Sequence, residues 1–114
     1  MSYVAPVTDA TYRARVIDSL TPVLLVFLDN DSEARRAFTP VLSETARQLG
    51  DNLLVATAET ATNPDTAQRW GVTRTPTAVL LHYGIMQRVL LGVRPAERLI
   101  EEIRQALGPD FGTA

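Results

Sequence analysis

Apolar residues fall into two kinds of run along this chain. Val23 to Leu28 is continuously apolar and is preceded by Thr21-Pro22. A run so short and uniform predicts a central strand buried on both faces. Leu53 to Ala58 predicts another strand, and Tyr3 to Val7 a short edge strand. Thr77 to His82 and Gln87 to Leu91 bracket Tyr83-Gly84-Ile85-Met86, the pattern of a hairpin with Gly at its turn. Between these runs the period lengthens. Ala34, Ala37, Phe38, Val41, Leu42, Ala46 and Leu49 recur at helical spacing, predicting a helix from about Ser32 to Gln48 with one buried stripe. Pro40 removes a backbone donor inside it and predicts a kink, and Gly50 marks its end. Pro95 to Leu107 carries Ala96, Leu99, Ile100, Ile103, Ala106 and Leu107 on one face and stops at Gly108-Pro109. Thr8 or Asp9 is positioned to cap a first helix reaching about Ser19. Asn63-Pro64 opens a short helix to Trp70, with Pro in its first turn.

The resulting order is βαβαβαββα, which mixes parallel crossovers with one terminal hairpin. It predicts an α/β protein with a mixed central sheet flanked by helices. No repeat or linker interrupts the pattern, so the expectation is one domain over residues 1–108 and a short C-terminal tail over 109–114. The chain's 114 residues suffice for a single hydrophobic core without metal or disulfide staples.

Composition then removes several chemistries. A formal net charge of −2 gives no global field favouring nucleic acid or an anionic membrane. Every basic residue is Arg, so Schiff-base lysine chemistry is absent. There is no cysteine. Thiol–disulfide exchange needs an attacking thiolate, so an intramolecular oxidoreductase mechanism is excluded, as are thiolate-held clusters and cysteine-rich zinc sites. A single histidine argues against a histidine-rich metal site, and no cofactor or metal is expected. Met1-Ser2-Tyr3-Val4-Ala5-Pro6 has neither the charged start nor the apolar stretch of a signal peptide, and no apolar run has the length of a membrane span. The expectation is a cytoplasmic protein.

A resemblance sharpens this reading. The segment from Val23 to Leu42, Asn63-Pro64, Trp70-Gly71-Val72-Thr73-Arg74-Thr75-Pro76-Thr77, Gly84 and Gly92 together resemble the thioredoxin superfamily from about Val7 to Leu107, without insertions. The resemblance implies a thioredoxin-like fold and a cis peptide bond at Thr75-Pro76, where sequence alone favours trans. Where that superfamily carries Trp-Cys-Gly-Pro-Cys, this chain has Asp31-Ser32-Glu33-Ala34-Arg35. Val26 stands at the position of a buried Asp that assists proton transfer, Thr57 at a nearby Lys, and Leu28 at a second Trp. The shape-determining residues remain and the redox residues are gone, so the catalytic role does not carry over. Within the superfamily, Gly71 to Pro76 and Gly92-Val93-Arg94-Pro95-Ala96-Glu97 are similar to the hydrogenase-maturation thioredoxin-like chaperones, which also lack the Cys pair.

The candidate site follows. In thioredoxin-like proteins the backbone before the cis-proline pairs with an extended peptide, a recognition that needs no cysteine. The resemblance therefore implies a peptide-binding surface at Asp31, Ser32, Arg35, Arg74, Thr75, Pro76, Gly92 and Val93. Its partner is a protein or extended peptide. Each residue also has a structural reading: Pro76 as a loop-shaping residue, and Ser32 as a helix cap with Glu33 in the favourable first turn. Arg35 and Arg74 are expected near Asp31 and Glu33, either as a recognition patch or as a solvated cluster. Trp70 is expected to pack against the sheet and His82 to sit at a strand end. Three functions compete: a non-catalytic polypeptide binder, whether chaperone, assembly factor or adaptor; an enzyme acting on a glutathione-like small molecule through Ser32 or Tyr83; and a homo-oligomeric module pairing through Leu28 and Val93.

Overall fold

The computed structural model describes residues 4–111. Five strands form one sheet: β1 (Val4–Pro6), β2 (Val23–Leu28), β3 (Leu54–Glu59), β4 (Thr77–His82) and β5 (Ile85–Leu91), in the spatial order β1-β3-β2-β4-β5. β3 runs parallel to both β1 and β2, whereas β4 is antiparallel to β2 and to β5. The helices are α1 (Glu33–Leu49), α2 (Pro64–Arg69) and α3 (Ala96–Leu107). The expected α/β class and mixed sheet are thus realised. Tyr3, the start of the predicted first strand, lies outside the described residues.

Burial on both faces accounts for the continuous apolar strands. Every residue of β2 is buried. Leu24, Val26 and Leu28 point to one face and meet Phe38, Leu42, Ala46 and Leu49 of α1 with Leu99, Ile100 and Ile103 of α3. Val23, Leu25 and Phe27 point to the other, among Tyr12, Val16, Ala67 and Val79. The period-two alternation of a strand thus feeds two cores from one run. Phe111, beyond Gly108, packs against the first of these cores.

Two elements depart from the sequence expectation. The predicted first helix is only a π-helical stretch, Arg13–Ile17, which buries Val16. Of the two expected caps, Thr8 caps the turn leading into it, its hydroxyl accepting the Thr11 N–H at 3.2 Å, whereas Asp9 is drawn elsewhere. Thr8 and Thr11 bond each other, and Asp9 Oδ1 accepts the backbone N–H of Thr66 at 2.9 Å and its hydroxyl at 2.6 Å. Asp9 therefore caps α2, not its own segment. The hydroxyl bond to Thr66, aided by the two backbone N–H groups, holds the Asp9 carboxyl below its ordinary value against a smaller opposing effect of burial. Asn63 completes the tie by accepting the Asp9 N–H and donating to the Glu59 carbonyl. The second departure is the hairpin. Tyr83 and Gly84 both have positive φ (53° and 76°), a two-residue turn that lets β5 begin at Ile85.

Helix α1 follows the prediction closely. It starts after Ser32 and runs through Pro40 to Leu49. The buried face of α3 is the predicted one, and Glu102 on its flank receives Arg94 Nη1 at 2.8 and 2.7 Å, with both side chains largely buried. Arg94 also donates to the Leu91 carbonyl, which fixes the turn from β5 into α3. Burial alone would push the Glu102 pKa up; the Arg94 hydrogen bonds, with the charges of Arg94, Arg98 and Arg88, outweigh it and leave that pKa lowered. Among the described residues no helix is long and apolar enough to cross a membrane.

Candidate functional site

The candidate residues lie in three segments: the β2–α1 turn, the Arg74-Thr75-Pro76 loop before β4, and Gly92-Val93 after β5. The Thr75-Pro76 peptide is cis. Pro76 is buried and its carbonyl accepts the N–H of Gly92 at 3.0 Å, joining the second segment to the third. Gly92 has φ 87°, a conformation that disfavours a side chain, although space beside it is open. The Thr77 hydroxyl donates to the Arg74 carbonyl at 2.8 Å and closes the loop from the other side. Thr75 is left between these anchors. Among the described residues its N–H and C=O have no hydrogen-bond partner, and its side chain is half-buried. Val93, 43% exposed, stands across the loop junction.

Thr75 opens into a polar depression of about 330 Å³ lined by Asp29, Thr60, Val72, Thr73, Arg74 and Thr75. Asp29 and Thr60 were not singled out by the sequence. Their signal is positional: the β2–β3 register pairs Leu28 with Glu59, so the next residues emerge side by side at the carboxyl ends of two parallel strands. Such ends are where open α/β sheets bind ligands.

The β2–α1 turn is arranged differently from expectation. Ser32 caps α1, its hydroxyl accepting the Arg35 N–H at 3.0 Å. That cap fixes the phase of the first turn and sends Arg35 back over the strand ends. Its Nη1 donates to the Asp29 carbonyl at 2.8 Å and pairs with Glu59 at 3.1 Å. Arg36 takes the outward position and pairs with Asp31 at 2.7 Å. The expected cluster of Arg35 with Asp31 and Glu33 is therefore replaced by two separate pairs. Arg35 reaches the depression only through Asp29, and Arg74 forms no ion pair among the described residues.

Behind the turn, Val26 is fully buried among apolar neighbours. Thr57 borders a cavity of about 120 Å³ with Val4, Leu28, Arg35, Thr39, Leu42 and Ser43. Leu28, at 3% exposure, cannot contribute to an oligomer surface. Nor can Tyr83 act beside Pro76. It stacks on His82 with centroids 4.2 Å apart, at the opposite end of six-residue β4, roughly 20 Å away by strand rise. Trp70 packs with the second core, its indole N–H donating to the Tyr12 hydroxyl at 2.8 Å. No group of three or more potential metal ligands occurs among the described residues.

A five-stranded mixed sheet with a helix starting beside a cis-proline loop defines the thioredoxin-like class. A sequence model of the Thioredoxin family matches residues 3–105, and the chain belongs to that family. It is similar to thioredoxin 1 of Synechococcus elongatus, with 32% identity over 107 residues, 94% of this chain and the whole of that protein. Thioredoxin 1 of Nostoc is 31% identical over the same shares. Thioredoxin of Mycobacterium tuberculosis is 32% identical over 97 residues, 85% of this chain and 84% of its own. This chain keeps the family's architecture without any cysteine, so disulfide oxidoreductase activity is not supported.

Proposed function

We propose that this chain is a non-catalytic cytoplasmic member of the thioredoxin family that binds an extended polypeptide along the Thr75-Pro76 loop, as an adaptor, assembly factor or chaperone. The observation that carries the reading is the unpartnered backbone of Thr75, held between the Pro76–Gly92 bond and the Thr77–Arg74 bond. A strand-like peptide supplies the missing donor and acceptor by β-augmentation, and no thiol is required. Arg74 and Asp29 beside it present charge of both signs to the peptide's side chains. Ser32 does not act as a nucleophile, because its hydroxyl caps α1 and the lone imidazole lies at the far end of β4.

Selection from a displayed peptide library, followed by fluorescence anisotropy, tests the reading. Selected peptides should bind the parent, and Thr75→Arg should weaken them at least about tenfold, or 1.4 kcal/mol, with an unchanged melting temperature. Equal binding by the variant would move the interface elsewhere. Insulin-disulfide reduction should be absent from the same preparations, and measurable turnover would contradict a non-redox role.

A further inference from the structure

Arg94 and Glu102 lie outside the candidate site, yet they meet it through a single peptide group. The Leu91–Gly92 peptide is held at both ends. Its N–H, on Gly92, donates to the Pro76 carbonyl at 3.0 Å, and its C=O, on Leu91, accepts Arg94 Nη2. A trans peptide is planar and its N–H and C=O point in opposite directions, so the direction of the carbonyl dictates that of the N–H. Arg94 thus grips from one side the plane that holds Pro76 from the other.

The sequence prepares Arg94 for this. Pro95 disfavours a helical backbone at the residue before it, so α3 starts only at Ala96 and Arg94 stays in the turn. Glu102 takes Arg94 Nη1 on both carboxylate oxygens, at 2.8 and 2.7 Å, and is met from its own helix by Arg98 Nε at 3.3 Å. Arg98 is exposed, whereas the Arg94 and Glu102 side chains are only 13% and 12% exposed. Arg88 Nη1, from β5, approaches the Glu102 backbone carbonyl at 3.4 Å. One anomaly separates a clamp from a plain ion pair. Arg94 Nε is buried and has no hydrogen-bond partner among the described residues. A guanidinium placed only to neutralise a carboxylate commonly meets it fork to fork, two nitrogens on two oxygens. Here Nη1 alone serves both oxygens, which frees Nη2 for Leu91 and leaves Nε orphaned. A buried unpaired donor is costly, so the reach to the Leu91 carbonyl dictates how the guanidinium lies.

We propose that Arg94, held by Glu102, is a positioning residue for the peptide-binding loop: by fixing the Leu91–Gly92 plane it fixes the Pro76 carbonyl, and with it the free backbone of Thr75. This rests on the reading of that loop as a peptide-binding surface. Neither Arg94 nor Glu102 lines the depression beside Thr75, so both act through the plane.

Two readouts on the whole chain test this, one of them independent of any peptide. Arg94→Met combined with Glu102→Met removes the pair without leaving a lone buried charge, a change that folds often tolerate. Hydrogen exchange of the Gly92 N–H, followed by NMR without peptide, should quicken at least about tenfold. A peptide selected on the parent should bind at least about tenfold more weakly, with little change in melting temperature. Arg94→Lys keeps a positive charge beside Glu102 but loses the fork, and it should show the same two changes should the double variant fold poorly. Gly92 exchange at the parent's rate in both variants overturns the clamp, and faster exchange with unchanged peptide affinity overturns its role in binding. Faster exchange in a chain whose parent captures no peptide upholds the clamp and overturns the peptide reading instead.

Discussion

The hydroxyl of Ser32, where the family resemblance implies a thiol, accepts a backbone N–H instead. Replacing it by Ala leaves that donor unpaired, and Ser32→Ala should cost about 1 kcal/mol in a urea melt. No loss would mean that water caps the helix equally well. Three carboxyls set the response to pH, among them the surface Glu44 of α1, which hydrogen bonds from Arg47 and Gln48 draw down to about 2. Asp9 and Glu102 are both held below their ordinary values of 3.8 and 4.5. For such groups the stabilisation is complete above the unfolded values and disappears as pH falls through the lower folded ones. The protein should therefore lose stability progressively below about pH 4.5. Glu102→Gln should be less stable than the parent by about 2 kcal/mol at pH 7, the gap narrowing at pH 3. A gap that does not change with pH would show that the Arg94 pair contributes through shape alone.

At the scale of elements, legibility in the sequence followed burial. β2 and the buried stripes of α1 and α3 were readable because a single physical demand, removal from water, dictated each position. The first helix was read too long, with Thr8 rightly offered as its cap; the alternative cap, Asp9, carries a side chain whose target is 57 residues away in α2, and local pattern holds no record of that pairing. The Arg35–Glu59 pair escaped for the same reason, since it depends on the β2–β3 register. The hairpin was placed correctly but opened late, because Ile85 and Met86 look like turn residues only until Tyr83 is allowed positive φ. Gly84 there approaches Ile17 at 3.4 Å from where a Cβ would stand, with φ 76°. Gly84→Ala should destabilise by about 1 kcal/mol or more, seen as a lower melting temperature. An unchanged melt would show that the turn re-forms around the methyl group.

Across the whole molecule, loss of redox chemistry is distributed rather than local. Ser32 and Arg35 stand at the two thiol positions, but Val26 lies buried behind them where the resemblance implies a proton-transferring carboxylate, and Thr57 stands at its cationic neighbour. Arg35 is also bound to Glu59 and to the Asp29 carbonyl, so its removal exposes a carboxylate and frees one wall of the polar depression. Restoring the thiols alone should therefore fail. Ser32→Cys combined with Arg35→Cys should leave the fold intact yet reduce insulin at least about tenfold more slowly than a cysteine-bearing thioredoxin, equivalent to about 1.4 kcal/mol of activation free energy. Adding Val26→Asp places an ionisable group in a fully apolar site and should lower stability by several kcal/mol, about 2 or more. Thioredoxin-like turnover from the double-cysteine variant would show that the scaffold still holds the whole mechanism, and that only the thiols were lost.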